Sequence, residues 1–374
     1  MKIVVAMDSF KGSLAATDAC QIVAETIDAV VPGTQIVTKP MADGGEGTAA
    51  VIMSAAHGQW IKKRVTGPRP EMQVDAGFVW LADERTAVVE MASASGLQLL
   101  DARQRNPLLT TTYGTGQLIA EALDYRAQRL LLAVGGSATI DGGTGAAMAL
   151  GWRFQDETGR QVPQGGGSLQ AIAEIIPPDR DMEASVEVLC DVDNPLCGPH
   201  GAARVYGPQK GATTEMVETL DAALSHLAAC VVAQLGRNVR DLPGAGAAGG
   251  LAAGAVAFMD ARLVSGVEVV MAQIGLAEAL AGADWVITGE GCFDHQSLRG
   301  KVVSGVARLA TERGVRIGVI AGQVRLPPQV YTTAGIDTAV ACRGSRMDLD
   351  YALQHSAELL AQAARQFARD RLTV

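Results

Sequence analysis

Short apolar runs of strand length recur along this chain, each followed by a glycine-rich or polar turn and then an Ala-rich segment of helical period. No other feature restricts the fold so much, because parallel strands need a crossover between them and a helix is the usual one. The first repeat shows the pattern. Residues 3–7 read as a strand, 8–13 as a turn and 14–30 as a helix, with Leu14, Asp18, Ile22 and Glu25 spaced at helical period. Pro32-Gly33 ends that helix. A second strand at 35–38 runs into Pro40-Met41-Ala42-Asp43-Gly44-Gly45-Glu46-Gly47 and a helix over 48–56. A third repeat joins a strand at 129–134, a glycine-rich turn at 135–143 and a helix through Leu150. Strands at 285–288, 315–320 and 338–341 follow, with a last helix from Leu349 to about Arg369.

Between residues 59 and 91 the pattern changes to strands without helices, at 60–65, 73–81 and 86–91. This predicts antiparallel pairing and a domain boundary near Gly67-Pro68. At 374 residues, the chain exceeds the roughly 250–300 at which one hydrophobic core usually stops growing. The expected fold is therefore α/β: a discontinuous doubly wound domain from residues 1–66 and 272–374, interrupted by a second α/β domain at 67–271.

A formal net charge of −9 argues against a nucleic-acid partner, which needs Lys and Arg clustered over a wide face. A small anionic ligand stays open, because a pocket requires only a local positive field. The apolar start of the chain is too short for a signal sequence and is closed by Asp8. No uninterrupted apolar run approaches the roughly 18 residues of a membrane span. Cys20, Cys190, Cys197, Cys230, Cys292 and Cys342 are scattered with no CxxC pair, which disfavours a disulfide scaffold and a structural zinc site. The expectation is a soluble, cytoplasmic protein with no membrane partner; monomer and homo-oligomer both stay open.

In an open parallel sheet, ligands gather beyond the carboxyl ends of the strands, where turns expose backbone N–H groups. The informative segments here follow such strand ends: Asp8-Ser9-Phe10-Lys11, Asp43-Gly44-Gly45-Glu46-Gly47, the turn from Gly135 to Gly143, and Gly289-Glu290-Gly291. Glycine lets backbone approach a phosphate, and Ser and Thr add hydroxyl donors, as in Gly135-Gly136-Ser137-Ala138-Thr139. Taken alone, that loop reads equally as a tight turn with a capping hydroxyl. Phosphoryl transfer also needs carboxylates for Mg²⁺ and lysines for the polyphosphate. Asp8, Asp43, Glu46, Asp141, Asp191, Glu290 and Asp294 supply the first, and Lys11, Lys210 and Lys301 the second. Capping or a surface role remains open for any single carboxylate. Gly244-Ala245-Gly246-Ala247-Ala248-Gly249 matches GxGxxG, yet no strand precedes it, so it reads as a helix entry. Cys292 and His295 are too few for a zinc site, and there is no P-loop signature.

Together these segments resemble the bacterial glycerate kinase family. The likeness runs nearly end to end through the motifs above, Cys190-Asp191-Val192-Asp193-Asn194-Pro195-Leu196, Tyr206-Gly207-Pro208-Gln209-Lys210-Gly211-Ala212, and Asp294, Gln296, Gly300 and Lys301. It implies a flavodoxin-like domain interrupted by a second α/β domain. It also implies ATP- and Mg²⁺-dependent phosphorylation of D-glycerate at the 2-hydroxyl. Two positions depart from the family pattern: Met7 stands where proline is common, and Cys292 where a basic residue is usual.

On that resemblance, Asp191 is expected to orient or deprotonate the attacking hydroxyl, with Asp8 the next candidate. Lys11, Lys210 and Lys301 are assigned to the anionic ends of ATP and glycerate. Gly135, Gly136, Ser137, Thr139, Asp141, Gly289 and Gly291 are assigned to the nucleotide, and Ser9, Asn194 and Gln296 to the substrate. Asp43 and Glu290 are assigned to Mg²⁺, directly or through water. The alternatives are transfer to the 3-hydroxyl, a nicotinamide-dependent hydroxy-acid oxidoreductase resting on the GxGxxG and Glu268, and a metabolite sensor without catalysis.

Overall fold

The computed structural model describes residues 1–179, 182–344 and 347–373. Its strands in chain order are β1 (Lys2–Met7), β2 (Gln35–Thr38), β3 (Gln59–Thr66), β4 (Gln73–Leu81), β5 (Thr86–Glu90), β6 (Arg129–Ala133), β7 (Arg153–Gln155), β8 (Glu174–Ile176), β9 (Ser185–Leu189), β10 (Arg262–Val264), β11 (Trp285–Gly289), β12 (Cys292–Phe293), β13 (Arg316–Ala321), β14 (Gln323–Val324) and β15 (Thr338–Ala341). The fold is α/β. The chain divides into two compact units: Met1–Asp43, Ala50–Ala56 and Val267–Val374 form one, and Gly44–Ala49 with His57–Gly266 form the other.

The first unit holds a wholly parallel sheet in the order β15-β13-β11-β1-β2. Numbered by chain position within that sheet, the order is 2-1-3-4-5, the flavodoxin-like doubly wound arrangement. Helices Ala16–Val30 and Ser356–Arg371 pack Val23, Ile27, Leu360 and Phe367 against Ile3, Val5, Ile287 and Ile320. The alternate strand residues Val4, Val286 and Val319 are outside that cluster yet fully buried, and helix Val302–Thr311 packs on β11 and β13. Both faces are thus covered, which is why these strands are near-continuous apolar runs. The strand order reverses between β1 and β11, whose carboxyl ends are paired at Met7 and Gly289. Such a reversal leaves a crevice beyond the strand ends.

The second unit holds a six-stranded sheet, β10-β9-β6-β5-β4-β3. β3, β4 and β5 pair antiparallel, and the other pairings are parallel. β3 is bonded to β4 along its whole length, from Gln59 opposite Trp80 to Thr66 opposite Gln73. Residues 59–66 therefore lie in the second unit, and Gly67-Pro68 turns a hairpin, with Gly67 N donating to Met72 O at 2.9 Å. A Gly-Pro pair signals a turn and carries no information about what the turn connects.

Two other differences have local causes. The last helix is two, Leu349–Gln354 and Ser356–Arg371, interrupted at His355. In the GxGxxG segment, no strand precedes helix Ala247–Met259, whose first turn is broken by positive φ at Ala248, Gly249 and Gly250. A Cβ at Gly249 would lie 1.9 Å from Thr139 O, so this glycine serves a close backbone approach to the 135–143 turn. Among the described residues one helix, Thr214–Leu235, is long and apolar enough by composition to cross a membrane. Its Leu220, Leu224, Leu227 and Val231 stripe packs into a core cluster with Phe154 and Phe258.

Candidate active site

At the strand-order reversal of the first unit lies a pocket of about 470 Å³. The turns after β1, β2 and β11 each bring carboxylates to it, and β1 and β11 stop side by side there: Asp8 N donates to Gly289 O at 2.9 Å. Asp8, Ser9, Lys11, Asp43, Glu290, Gly291 and Lys301 all line it. Asp8 is 8% exposed, and Ser9 N donates to its Oδ1 at 2.7 Å. Burial pushes the Asp8 carboxyl up to about 7, Asp43 and Glu290 add to the rise, and Ser9 N–H and Lys11 oppose it. Burial also raises Glu290, with Asp294 and Asp43 adding to it, while Ser297 and Lys301 pull it down. Crowded carboxylates of this kind call for a cation.

The donors suit a hard one. Glu290 Oε1 is buried and has no hydrogen-bond partner, and the set around it is carboxylate oxygen, the chemistry Mg²⁺ prefers. Among the described residues, no three acidic, cysteine or histidine side chains are close enough to hold a metal between them. Mg²⁺ commonly binds through one or two carboxylates plus substrate phosphate, so the donor set fits that ion, and Asp43 and Glu290 are the pocket carboxylates that could hold it. Lys301 Nζ lies 3.5 Å from Gln296 Oε1, and Gln296 N donates to Asp294 Oδ1 at 2.8 Å, so the 294–301 turn organises its own donors.

In the second unit the turn after β6 is built around two buried ionisable groups. Asp141 is 0% exposed. Its oxygens accept from Thr112 N (2.7 Å), Thr112 Oγ1 (2.9 Å), Gly143 N (3.1 Å) and Gly145 N (3.3 Å). Lys210 is 2% exposed, and its Nζ meets Ser137 Oγ at 2.5 Å and donates to Thr139 O at 2.8 Å. Burial drops the Lys210 ammonium to about 7, with Asp141 opposing the drop. A Cβ at Gly135 would fall 2.4 Å from Gly45 Cα, so the glycine-rich turns after β2 and β6 meet backbone to backbone.

Several of the expected residues lie outside that pocket. Asp141 and Lys210 are buried and hold the turn together, and Thr139 is buried with its carbonyl on Lys210 and its Oγ1 without a hydrogen-bond partner; Ser137 is buried against Lys210, and Gly135 and Gly136 are the more exposed part of the turn. Asn194 is committed locally, its Nδ2 to His200 O at 2.9 Å and its Oδ1 to Tyr206 Oη at 2.6 Å. Asp191 Oδ1 accepts from Ser265 Oγ at 2.8 Å and Gly266 N at 3.0 Å, at the start of helix Gly266–Gln273. Lys11 and Glu290 share a pocket in one unit, whereas Ser137 and Asp191 belong to the other.

The sequence reading missed Arg325 and Arg343, which also line the pocket. Each follows the carboxyl end of a parallel strand or its short extension, the signal used for the other turns, but neither sits in a glycine-rich run. Glu90 was missed as well. It reads as strand, yet it accepts from Gly47 N at 2.9 Å and Ala49 N at 3.2 Å and fastens the turn after β2.

The comparisons with known proteins agree with one another. The glycerate kinase family model matches residues 3–372. The chain is 45% identical over 370 residues to a glycerate kinase of Halalkalibacterium halodurans, covering 98% of this chain and 97% of that one. It is 42% identical over 371 residues to the glycerate 2-kinase of Escherichia coli, with 98% and 97% covered. The crystal structure assigned as glycerate kinase 2 from Salmonella typhimurium LT2 matches with a TM-score of 0.85 at 40% identity, covering 99% of this chain and 98% of that chain.

Proposed function

The chain belongs to the glycerate kinase family of phosphotransferases, and from that premise we propose that it transfers the terminal phosphoryl group of ATP to the 2-hydroxyl of D-glycerate, releasing ADP. The observation that carries the reading is the gathering of Asp8, Asp43 and Glu290 with Lys11 and Lys301 in one pocket at the strand-order reversal. Phosphoryl transfer asks for little covalent work from a protein. It needs in-line positioning, cations against the polyphosphate and a group to receive the hydroxyl proton.

Lys11 and Lys301 set positive charge where the phosphate oxygens gather. Asp8 is our choice for the proton acceptor, ahead of Asp191, because Asp8 lines the pocket while Asp191 Oδ1 is engaged by Ser265 and Gly266. Its carboxylate is held in one orientation by the Ser9 N–H and can receive the 2-hydroxyl proton as that oxygen attacks phosphorus. Asp43 and Glu290 would hold Mg²⁺, which when bound neutralises charge on the transferring phosphates. Similarity to the Escherichia coli glycerate 2-kinase supports the choice of the 2-hydroxyl.

Incubation with ATP, Mg²⁺ and D-glycerate, followed by phosphorus NMR, tests the reading directly. The expected product is 2-phospho-D-glycerate with stoichiometric ADP. The 3-phosphate would overturn the regiochemistry, and ATP left unchanged would overturn the activity.

A further inference from the structure

The pocket of the first unit is larger and less polar than a three-carbon hydroxy acid requires. Its volume is about 470 Å³, and besides the ionisable groups it is lined by Leu349, Leu353 and Leu359. Every carbon of glycerate bears oxygen, so glycerate has no apolar face to set against three leucines. Leu349 and Leu353 are spaced four apart on helix Leu349–Gln354, which puts them on the same side of it. They are 53% and 39% exposed, whereas most large apolar side chains of the protein are buried. Apolar side chains left open inside a concave site mark a place for an apolar part of a ligand.

Resting on the kinase reading above, we propose that Leu349 and Leu353 seat the purine base of the nucleotide, with its phosphates toward Lys11 and Lys301. A purine has the flat apolar faces that glycerate lacks, and the cationic side of the pocket complements the polyphosphate joined to it. The pocket is therefore the nucleotide's, with the acceptor hydroxyl meeting only its phosphate end.

Calorimetric titration of the full chain with ADP and Mg²⁺, with inorganic tripolyphosphate and with D-glycerate separates the contributions. Both leucines are exposed, so Leu353→Asp and Leu349→Asp leave the core untouched. Each variant is expected to weaken ADP about tenfold or more, the order set by losing a leucine's apolar contact. Tripolyphosphate, which has no base, and D-glycerate should bind within about twofold of the unsubstituted chain. Unchanged ADP affinity in both variants, or equal losses for ADP and tripolyphosphate, overturns the base subsite. If the unsubstituted chain forms product from ATP and D-glycerate while the variants keep their ADP affinity, the subsite alone fails. An unsubstituted chain that binds neither ADP nor D-glycerate overturns both readings.

Discussion

Burial moves Asp8 upward and Lys210 downward, so that both titrate near pH 7, yet the two residues face different tasks. Asp8 lines the pocket, and Asp8→Asn is expected to lower kcat by about two orders of magnitude or more, the usual scale for losing a general base. Asp191→Asn should retain far more turnover, because an amide oxygen can still accept from Ser265 Oγ and Gly266 N. Steady-state kinetics on the two purified variants decides between them, and the reverse ranking would return the proton-acceptor role to Asp191.

Lys210 makes a separate prediction about stability. Its folded pKa of about 7 lies below the ordinary lysine value of 10.5. Its contribution is therefore fully present above the unfolded value and is lost as pH falls through the folded one. Lys210→Met removes that titration, so its urea midpoint should change less with pH between 7 and 10 than that of the unsubstituted protein. The same variant leaves Ser137 Oγ and Thr139 O without their amine, at a cost of about 1–3 kcal/mol. An undiminished pH slope would show that the ammonium stays charged in its buried site.

At the scale of the element, the alternation of strand, turn and helix could be read because apolar period and glycine punctuation are local properties. The turns after β1, β2, β6 and β11 were legible for the same reason. The antiparallel pairing of the strands at 60–65, 73–81 and 86–91 was legible from the missing helices, and β3, β4 and β5 pair in that way. The boundary was not, because Ile61, Lys63 and Val65 fall on one face of β3 and nothing in them says which unit that strand joins. Asp141 and Lys210 could be singled out by type but their burial could not, because sequence gives a residue's type and neighbours and not its depth. Arg325 and Arg343 went unread because their approach to the pocket depends on the order of β13 and β15 in the sheet.

Element packing also yields a quantitative expectation. Phe367 is fully buried, lies edge-on to Trp285 with ring centroids 5.4 Å apart, and belongs to the cluster joining the last helix to β1 and β11. Phe367→Ala should cost about 3–5 kcal/mol through lost burial and the cavity left behind. Equilibrium denaturation measures it, and a loss below about 1 kcal/mol would mean that this helix contributes little to holding the sheet.

For the whole molecule, the 2-1-3-4-5 order joins the two ends of the chain in one sheet. β1 is an interior strand and almost wholly buried, with β2 on one side and β11 on the other, Ile3 standing opposite Trp285. The second unit, by contrast, is nearly continuous in sequence. Such an arrangement puts a direction into biosynthesis. The first strand leaves the ribosome with β2 close behind it, while β11 emerges only after every residue up to Asp284 has been made, roughly a quarter of a minute to a minute later at ordinary translation speeds. Throughout that interval the nascent polypeptide carries a sticky apolar ribbon with one side unclaimed, so Asp8 at its tip is made long before Gly289, the backbone partner it bonds to.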